Sequence, residues 1–171
     1  DLIDNLDNAS LEFIYNETLG FAEMYLNDVN VEKSIRSLEV SNLVSKVSAI
    51  PEVRKKLVAI QKEIGKNKAV VMDGRDIGSV VFTDAELKIF MTSSAETRAQ
   101  RRYDELIQKG EKVSYQDVYT NVVERDRVDT SRKDSPLVKA DGAIEIDNSQ
   151  LSKEKQFEII LKLVEEKLRD I

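Results

Sequence analysis

The sequence predicts an α/β fold with a parallel sheet flanked by helices. Three short apolar runs, Lys68 to Met72, Leu87 to Met91 and Ala143 to Ile146, read as strands, and the long segments between them carry helical periodicity and helix-start signals. Strands alternating with helices, rather than with hairpin turns, are the pattern of parallel pairing.

The elements follow in order. Leu11 to Tyr15 and Ala22 to Leu26 are β-prone runs joined through Gly20, which predicts a hairpin. From Val31 onward the spacing becomes helical, with Ile35, Leu38, Leu43, Val44 and Val47 along one face. Pro51 suits the first position of a second helix ending near Gly65, because its missing N–H is not needed there. The run Lys68-Ala69-Val70-Val71-Met72 is continuous enough for a strand buried on both faces, and Leu87 to Met91 makes a second of that kind. Ser93 with Glu96 and Ser114 with Asp117 have capping-box spacing, Gly110 stops the first of these helices, and Ser152 caps a final amphipathic helix through Leu168. No repeat, low-complexity segment or linker interrupts the 171 residues.

Composition narrows the chemistry. The chain has no Cys, no His and no Trp, which removes thiolate nucleophiles, imidazole bases and the usual zinc ligands. Catalysis then falls to Arg, Lys, Asp, Glu, hydroxyls or an oxygen-bound metal. The net charge of −6 opposes general nucleic-acid affinity, which depends on Lys and Arg neutralising phosphates. Seven of the ten Arg lie between Arg75 and Arg132, and Arg is the cation suited to a bidentate grip on phosphate or carboxylate. The chain starts at Asp1, without a signal peptide or a long apolar run, and reads as a piece of a soluble intracellular protein.

Three constellations carry this charge. Asp73-Gly74-Arg75-Asp76 leaves the end of a predicted strand, where ligands bind in α/β sheets; a structural turn with a local ion pair is the alternative. Arg125, Asp129 and Arg132 stand at i, i+4 and i+7, on one helical face. A salt-bridge ladder is the plain reading, yet one carboxylate neutralises one guanidinium, and the surplus suits an anion. Arg98, Arg101 and Arg102 cluster near a helix start, where their repulsion is offset by a multi-anionic ligand or by carboxylates such as Asp104 and Glu105.

Together these stretches resemble the bacterial cytidylate kinase family. The resemblance rests on Val71-Met72-Asp73-Gly74-Arg75-Asp76-Ile77-Gly78-Ser79-Val80-Val81-Phe82 followed by Leu87-Lys88-Ile89-Phe90. It continues through Ser34-Ile35-Arg36, Glu39-Val40-Ser41, Ser45, Pro51 to Arg54, Arg98 to Arg102, Glu124 to Arg132, Ser135-Pro136-Leu137, Ala140-Asp141 and Ile146-Asp147, spanning roughly residues 10 to 168 in consistent order.

The resemblance implies a P-loop kinase-like parallel sheet with a small CMP-binding subdomain over 10–66, core segments over 67–93 and 135–171, and a lid with flanking helices over 94–134. It implies transfer of the γ-phosphoryl of ATP to CMP or dCMP with Mg²⁺. The charge balance, the lack of a long apolar run and a surface pattern that forces no dimer lead us to expect a cytoplasmic monomer with no nucleic-acid or membrane partner. Ser45, Arg54 and Asp76 match residues that bind cytosine, and Asp73 matches the carboxylate that helps to place Mg²⁺ through water. Arg75 and Arg132 match residues that hold the nucleotide phosphate, while Arg125 and Asp129 match residues around the sugar and that phosphate. Arg98, Arg101 and Arg102 resemble lid arginines that close over the transferring group. Two other readings are a nucleoside-monophosphate kinase of different base specificity and a non-catalytic nucleotide-binding or interaction protein.

One departure stands out. The family's N-terminal strand, G-x-x-x-x-G-K-[ST] loop and helix are absent: the glycines at 20, 65, 74, 78, 110 and 142 include no pair five apart followed by Lys. Also missing is the following segment with another phosphate-binding Arg. The central place of that strand between the strand before Asp73 and the one containing Phe90 leads us to expect a C-terminal portion of a kinase. Alone, it should be unstable, at about 1–3 kcal/mol per buried unpaired backbone group, and inactive.

Overall fold

Turn chemistry determines the first sheet. In a computed structural model, which describes residues 2–67 and 69–169 with the side chains of Leu38, Ser45 and Asn67 outside that description, β1 (Leu11–Asn16) pairs antiparallel with β2 (Phe21–Leu26). Asn16 Oδ1 accepts the backbone N–H groups of Thr18 and Leu19 at 3.0 and 3.2 Å, and Gly20 takes the positive φ of 74° that closes the loop. A third strand, β3 (Val29–Asn30), joins β2 through Asn27 and Asp28, both at positive φ (47° and 65°). Two consecutive positive φ values are the requirement of a type I′ hairpin turn, and Asn and Asp tolerate them best after Gly.

The helical pattern expected from Val31 begins later. Residues 34–36 form a single 3₁₀ turn, and α1 runs over Leu38–Ser48; Val31 N still donates to Met24 O of β2 at 2.9 Å, so the chain leaves the first sheet only after it. Pro51 opens α2 (Pro51–Ile64) as its fixed φ allows. Two compact units divide the chain, Asp1–Ala59 and Ile60–Ile171. Inside the first, Val53 is buried, and the Lys56 ammonium donates to Leu6 O and Asp7, tying α2 to the 3₁₀ turn at Leu6–Asn8.

The second unit holds a parallel pair, β4 (Ile89–Thr92) and β5 (Ile144–Asp147), in register from Ile89 opposite Ile144 to Thr92 opposite Asp147. The strand expected over Lys68–Met72 is not formed. Lys68 lies outside the described residues, Ala69 has φ 55°, and Val71 is fully exposed. An apolar run fixes what a strand can bury, but a ladder needs a partner's N–H and C=O groups, and no described segment pairs with 69–72. The faces of β4 and β5 are unevenly covered: Ile146 is buried, while Met91 and Ile144 stay exposed.

Helices α3 (Ala95–Gln108) and α4 (Tyr115–Ser131) pack together, burying Ala99, Leu106 and Val118. The cap of α3 is Ser94, whose Oγ accepts from Thr97 N at 3.1 Å, not Ser93 as the capping-box spacing suggested. Ser93 sits one residue too early for its hydroxyl to meet the first free amides. Ser114 caps α4 by accepting from Asp117 N at 3.1 Å, and Gly110, at φ 81°, follows the end of α3. Ser152 Oγ accepts from Lys155 N at the start of α5 (Lys153–Arg169). No helix among the described residues is long and apolar enough to cross a membrane.

Candidate active site

The carboxyl ends of the second unit's segments gather the arginines. Asp73 and Gly74 leave the irregular 69–73 stretch, and a Cβ on Gly74 would stand 2.8 Å from Ile77 Cγ1. The residue without a side chain therefore lets the chain turn directly into a single π-helical turn, Ile77–Val81. Asp76 stands at the head of that turn and is buried. Its carbonyl accepts Val80 N at 2.8 Å and Val81 N at 3.3 Å, which fixes the backbone on which its carboxylate is carried.

Arg75 points to α4. Its Nε donates to Asp129 Oδ2 at 3.0 Å, while Arg132 Nη1 donates to Asp129 Oδ1 at 3.3 Å. The side chains of Asp129 and Arg132 are both buried, whereas that of Arg75 keeps 46% of its surface open. The segment after α4 folds back to hold this arrangement: Arg132 Nε donates to Ser135 O at 2.6 Å, and Leu137 N donates to Asp129 O at 2.7 Å. Arg125, one turn earlier on α4, has its pKa lowered by burial and then by the neighbouring Arg75 charge, with Asp129 opposing. A guanidinium stays charged through such a shift. Three guanidinium groups thus gather about Asp129, and phosphate is a ligand that their forked donors suit.

The Arg98, Arg101 and Arg102 cluster resolves into three different contacts. Arg98 donates from Nη1 and Nη2 to the two oxygens of Asp126 at 2.8 and 2.6 Å, and from Nε to Ser93 O at 3.2 Å. Arg101 donates to Asn148 Oδ1 at 3.0 Å, Asn148 O at 2.8 Å and Leu151 O at 3.3 Å, bracing the loop after β5. Arg102 pairs with Glu105 on its own helix at 2.9 Å. Of the two carboxylates expected to offset the cluster, Glu105 does so, and Asp104 accepts instead from Gln100.

Of the residues matched to cytosine recognition, Asp76 lies in the second unit and Arg54 in the first, where Arg54 Nη1 donates to Ser48 O at 3.2 Å; the side chain of Ser45 lies outside the description. Asp73 is exposed. Sequence reasoning missed Asp126 and Asn148. The repeated alternation Glu124-Arg125-Asp126-Arg127 was the available signal for Asp126, but its partner is 28 residues away. Among the described residues no three carboxylates converge, so no all-protein cation cage is built. A lone exposed carboxylate suits a Mg²⁺ ion that keeps its waters and phosphate ligands.

Comparison with known proteins decides among the kinase, related-kinase and binding-module readings. The cytidylate kinase family model matches residues 1–166. The chain belongs to the cytidylate kinase family. It is 69% identical over 163 residues to the cytidylate kinase of Flavobacterium johnsoniae, covering 95% of this chain and 71% of that protein. It is 66% identical to that of Flavobacterium psychrophilum, at 95% and 72% coverage. A cytidylate kinase from Bacteroides fragilis is 49% identical over 161 residues, at 94% and 70% coverage. Membership of the cytidylate kinase family makes the protein a phosphotransferase, and the arginine-rich ground around Asp129 suits phosphate chemistry.

Proposed function

We propose that the protein transfers the γ-phosphoryl group of ATP to CMP or dCMP, giving CDP or dCDP. The observation that carries this reading is the gathering of Arg75 and Arg132 on buried Asp129, with Arg125 one turn earlier on α4, in a chain of the cytidylate kinase family.

The chemistry needs no imidazole. A phosphate monoester loses its second proton at a pKa near ~6, so the attacking oxygen of CMP is already ionised at neutral pH. It bonds to the γ-phosphorus as the bond to the β,γ-bridging oxygen breaks and ADP leaves. Such transfers pass through a loose transition state, so alignment and charge stabilisation supply most of the catalysis. Arg75 and Arg132 hold the CMP phosphate. Arg125 neutralises part of its charge, and Asp129 keeps these cations in place and accepts from ribose hydroxyls. Arg98, Arg101 and Arg102 belong to the lid segment that closes over the transferring phosphoryl group. Mg²⁺ bound with ATP would neutralise phosphate charge, and Asp73 would help to hold it through water.

Base choice rests on Asp76. Cytosine offers an amino donor beside ring-nitrogen and carbonyl acceptors; a carboxylate such as that of Asp76 complements the first, and Arg54 and Ser45 are the donors that the family resemblance matches to the others. Uracil would turn a carbonyl lone pair toward the carboxylate, an unpaired polar contact that disfavours it.

In this reading residues 10–66 are the CMP-binding subdomain, 94–134 the lid with its flanking helices, and 67–93 with 135–171 the core. The enzyme works as a cytoplasmic monomer, and its net charge of −6 speaks against nucleic acid as a partner. The 171 residues hold no G-x-x-x-x-G-K-[ST] loop, so by themselves they should transfer no measurable phosphoryl group. The test is calorimetric titration of CMP, UMP and AMP into the intact enzyme together with a coupled assay for ADP. CMP-dependent ADP release with CMP bound most tightly is expected; preference for UMP or AMP, or no CMP-dependent turnover, overturns the assignment.

A further inference from the structure

Three arginines lie in the first half of α3, and each is held in a different way. Arg101 spends its contacts on Asn148 and Leu151, and Arg102 turns to Glu105 within its own helix. Arg98 is held differently. Asp126, reaching across from α4, takes both terminal nitrogens in a fork-on-fork pair at 2.8 and 2.6 Å, and Ser93 O takes Nε at 3.2 Å.

A guanidinium carries five N–H donors in one rigid plane. Three of those on Arg98 are engaged, from two sides, which fixes the plane of the group. Two donors remain, one on each terminal nitrogen, and the Arg98 side chain is 37% exposed. The Asp126 hydrogen bond also raises the Arg98 pKa as its first cause. A long, flexible side chain would otherwise lose several rotamers on meeting its ligand; a bidentate carboxylate has removed that freedom in advance.

We infer that Asp126 is a positioning residue for Arg98: it presents the guanidinium, already oriented, to the oxygens of the transferring phosphoryl group. Asp126 touches neither nucleotide nor metal in this role and acts only through the arginine. The inference rests on the proposed phosphoryl transfer, and it separates Arg98 from Arg101, whose contacts make it a strut for the loop after β5.

The test uses the intact kinase and four proteins: wild type, Asp126→Asn, Asp126→Glu and Arg98→Ala, with the Asp126→Asn/Arg98→Ala double variant closing the cycle. Misorienting a reacting contact by about 1 Å costs on the order of 10²-fold, so Asp126→Asn should lower kcat by about 10- to 100-fold while KM for CMP stays within about twofold. Asp126→Glu should recover part of the loss. The double variant should be no slower than Arg98→Ala alone, since Asp126 has nothing to orient once the arginine is gone. A second readout is independent of turnover: the Arg98 Nε–Hε NMR signal, assigned by its disappearance in Arg98→Ala, should be sharp in wild type and exchange-broadened in Asp126→Asn. Wild-type kcat in Asp126→Asn, additive losses in the double variant, or kcat and KM moving together with the melting temperature in both Asp126 variants would each overturn the inference. An intact wild type that turns over ATP without regard to CMP would instead overturn the functional reading on which it stands.

Discussion

Arg75 Nε donates to Asp129 Oδ2 at 3.0 Å, joining the turn after Asp73 to the last turn of α4 across 54 residues of chain. The same carboxylate takes Arg132 through its other oxygen, so one buried anion orders two cations that would otherwise repel. Removing one member of a buried ion pair is costly because it leaves the other charges uncompensated, typically ~3–5 kcal/mol. Asp129→Ala should fall at the lower end, about 3 kcal/mol, because Arg75 stays nearly half exposed and solvent screens part of its charge. Chemical denaturation would read this as a lower midpoint, and the KM for CMP should rise. Full retention of stability would show that the three arginines do not depend on Asp129.

Asp76 makes a second prediction, about selectivity. Its carboxylate is buried at the head of the Ile77–Val81 turn, where an unmatched lone pair cannot turn to water. Asp76→Asn keeps the shape but gives an amide that can present either a donor or an acceptor. The ratio of kcat/KM for CMP over UMP should drop by about tenfold or more, because a site built for one hydrogen-bond pattern discriminates through the unpaired alternative. An unchanged ratio in steady-state assays with both nucleotides would remove Asp76 from base recognition.

How far these features could be read without coordinates depends on their range along the chain. The hairpin from Leu11 to Leu26, the helix opened by Pro51, the strand pair around Phe90 and Ile144, and the Ser114 cap all follow from local rules: alternation, fixed φ, apolar runs and a hydroxyl before a helix. The short third strand was hidden because Asn27-Asp28 lacks the glycine that usually marks a type I′ turn. The 69–72 run failed as a strand because pairing is a property of two segments. Arg125, Asp129 and Arg132 share a helix face by spacing alone, whereas the Arg75 bond to Asp129 and the Arg98 bond to Asp126 come from tertiary packing. No spacing rule reaches across 54 or 28 residues.

The start of α3 offers a local test of one such reading. Ser94 accepts Thr97 N, while the Ser93 hydroxyl makes only a 3.5 Å contact with Ser149 Oγ. Loss of an N-cap hydroxyl costs about 1 kcal/mol. Ser94→Ala and Ser114→Ala should each destabilise the intact protein by that amount, and Ser93→Ala by clearly less. Equal losses for Ser93→Ala and Ser94→Ala in denaturant titrations would move the cap back to the position that the capping-box spacing suggested.

Stability should depend on pH in a way set by the absence of histidine. Glu105 is held below the usual carboxylate range by Lys109 and then Arg102, Glu23 by Asn16 and then Asn30, and Asp147 by the Ser149 hydroxyl and amide. Glu96 and Glu154 are lowered by their own amides and then by the capping hydroxyls of Ser94 and Ser152. A carboxylate with a lowered folded-state pKa contributes stability that is complete above its unfolded value, near pH ~4.3 for Glu, and is lost as pH falls through the folded value. On the alkaline side Tyr119 is raised, chiefly by Glu96; its contribution is complete below its unfolded value of about 10 and is lost as pH rises above it. Nothing in the 171 residues has an ordinary side-chain pKa between about 5 and 8. What these 171 residues contribute to stability should therefore be flat across that window and fall below about pH 4.3. Turnover should behave differently, since CMP itself gains a proton near pH ~6 and the protonated phosphate is a poorer nucleophile. An acid limb in kcat/KM near that value, with no matching stability transition arising from these residues, is the expected pair of results. Loss of amide hydrogen-exchange protection in these residues between pH 6 and 7 would contradict it.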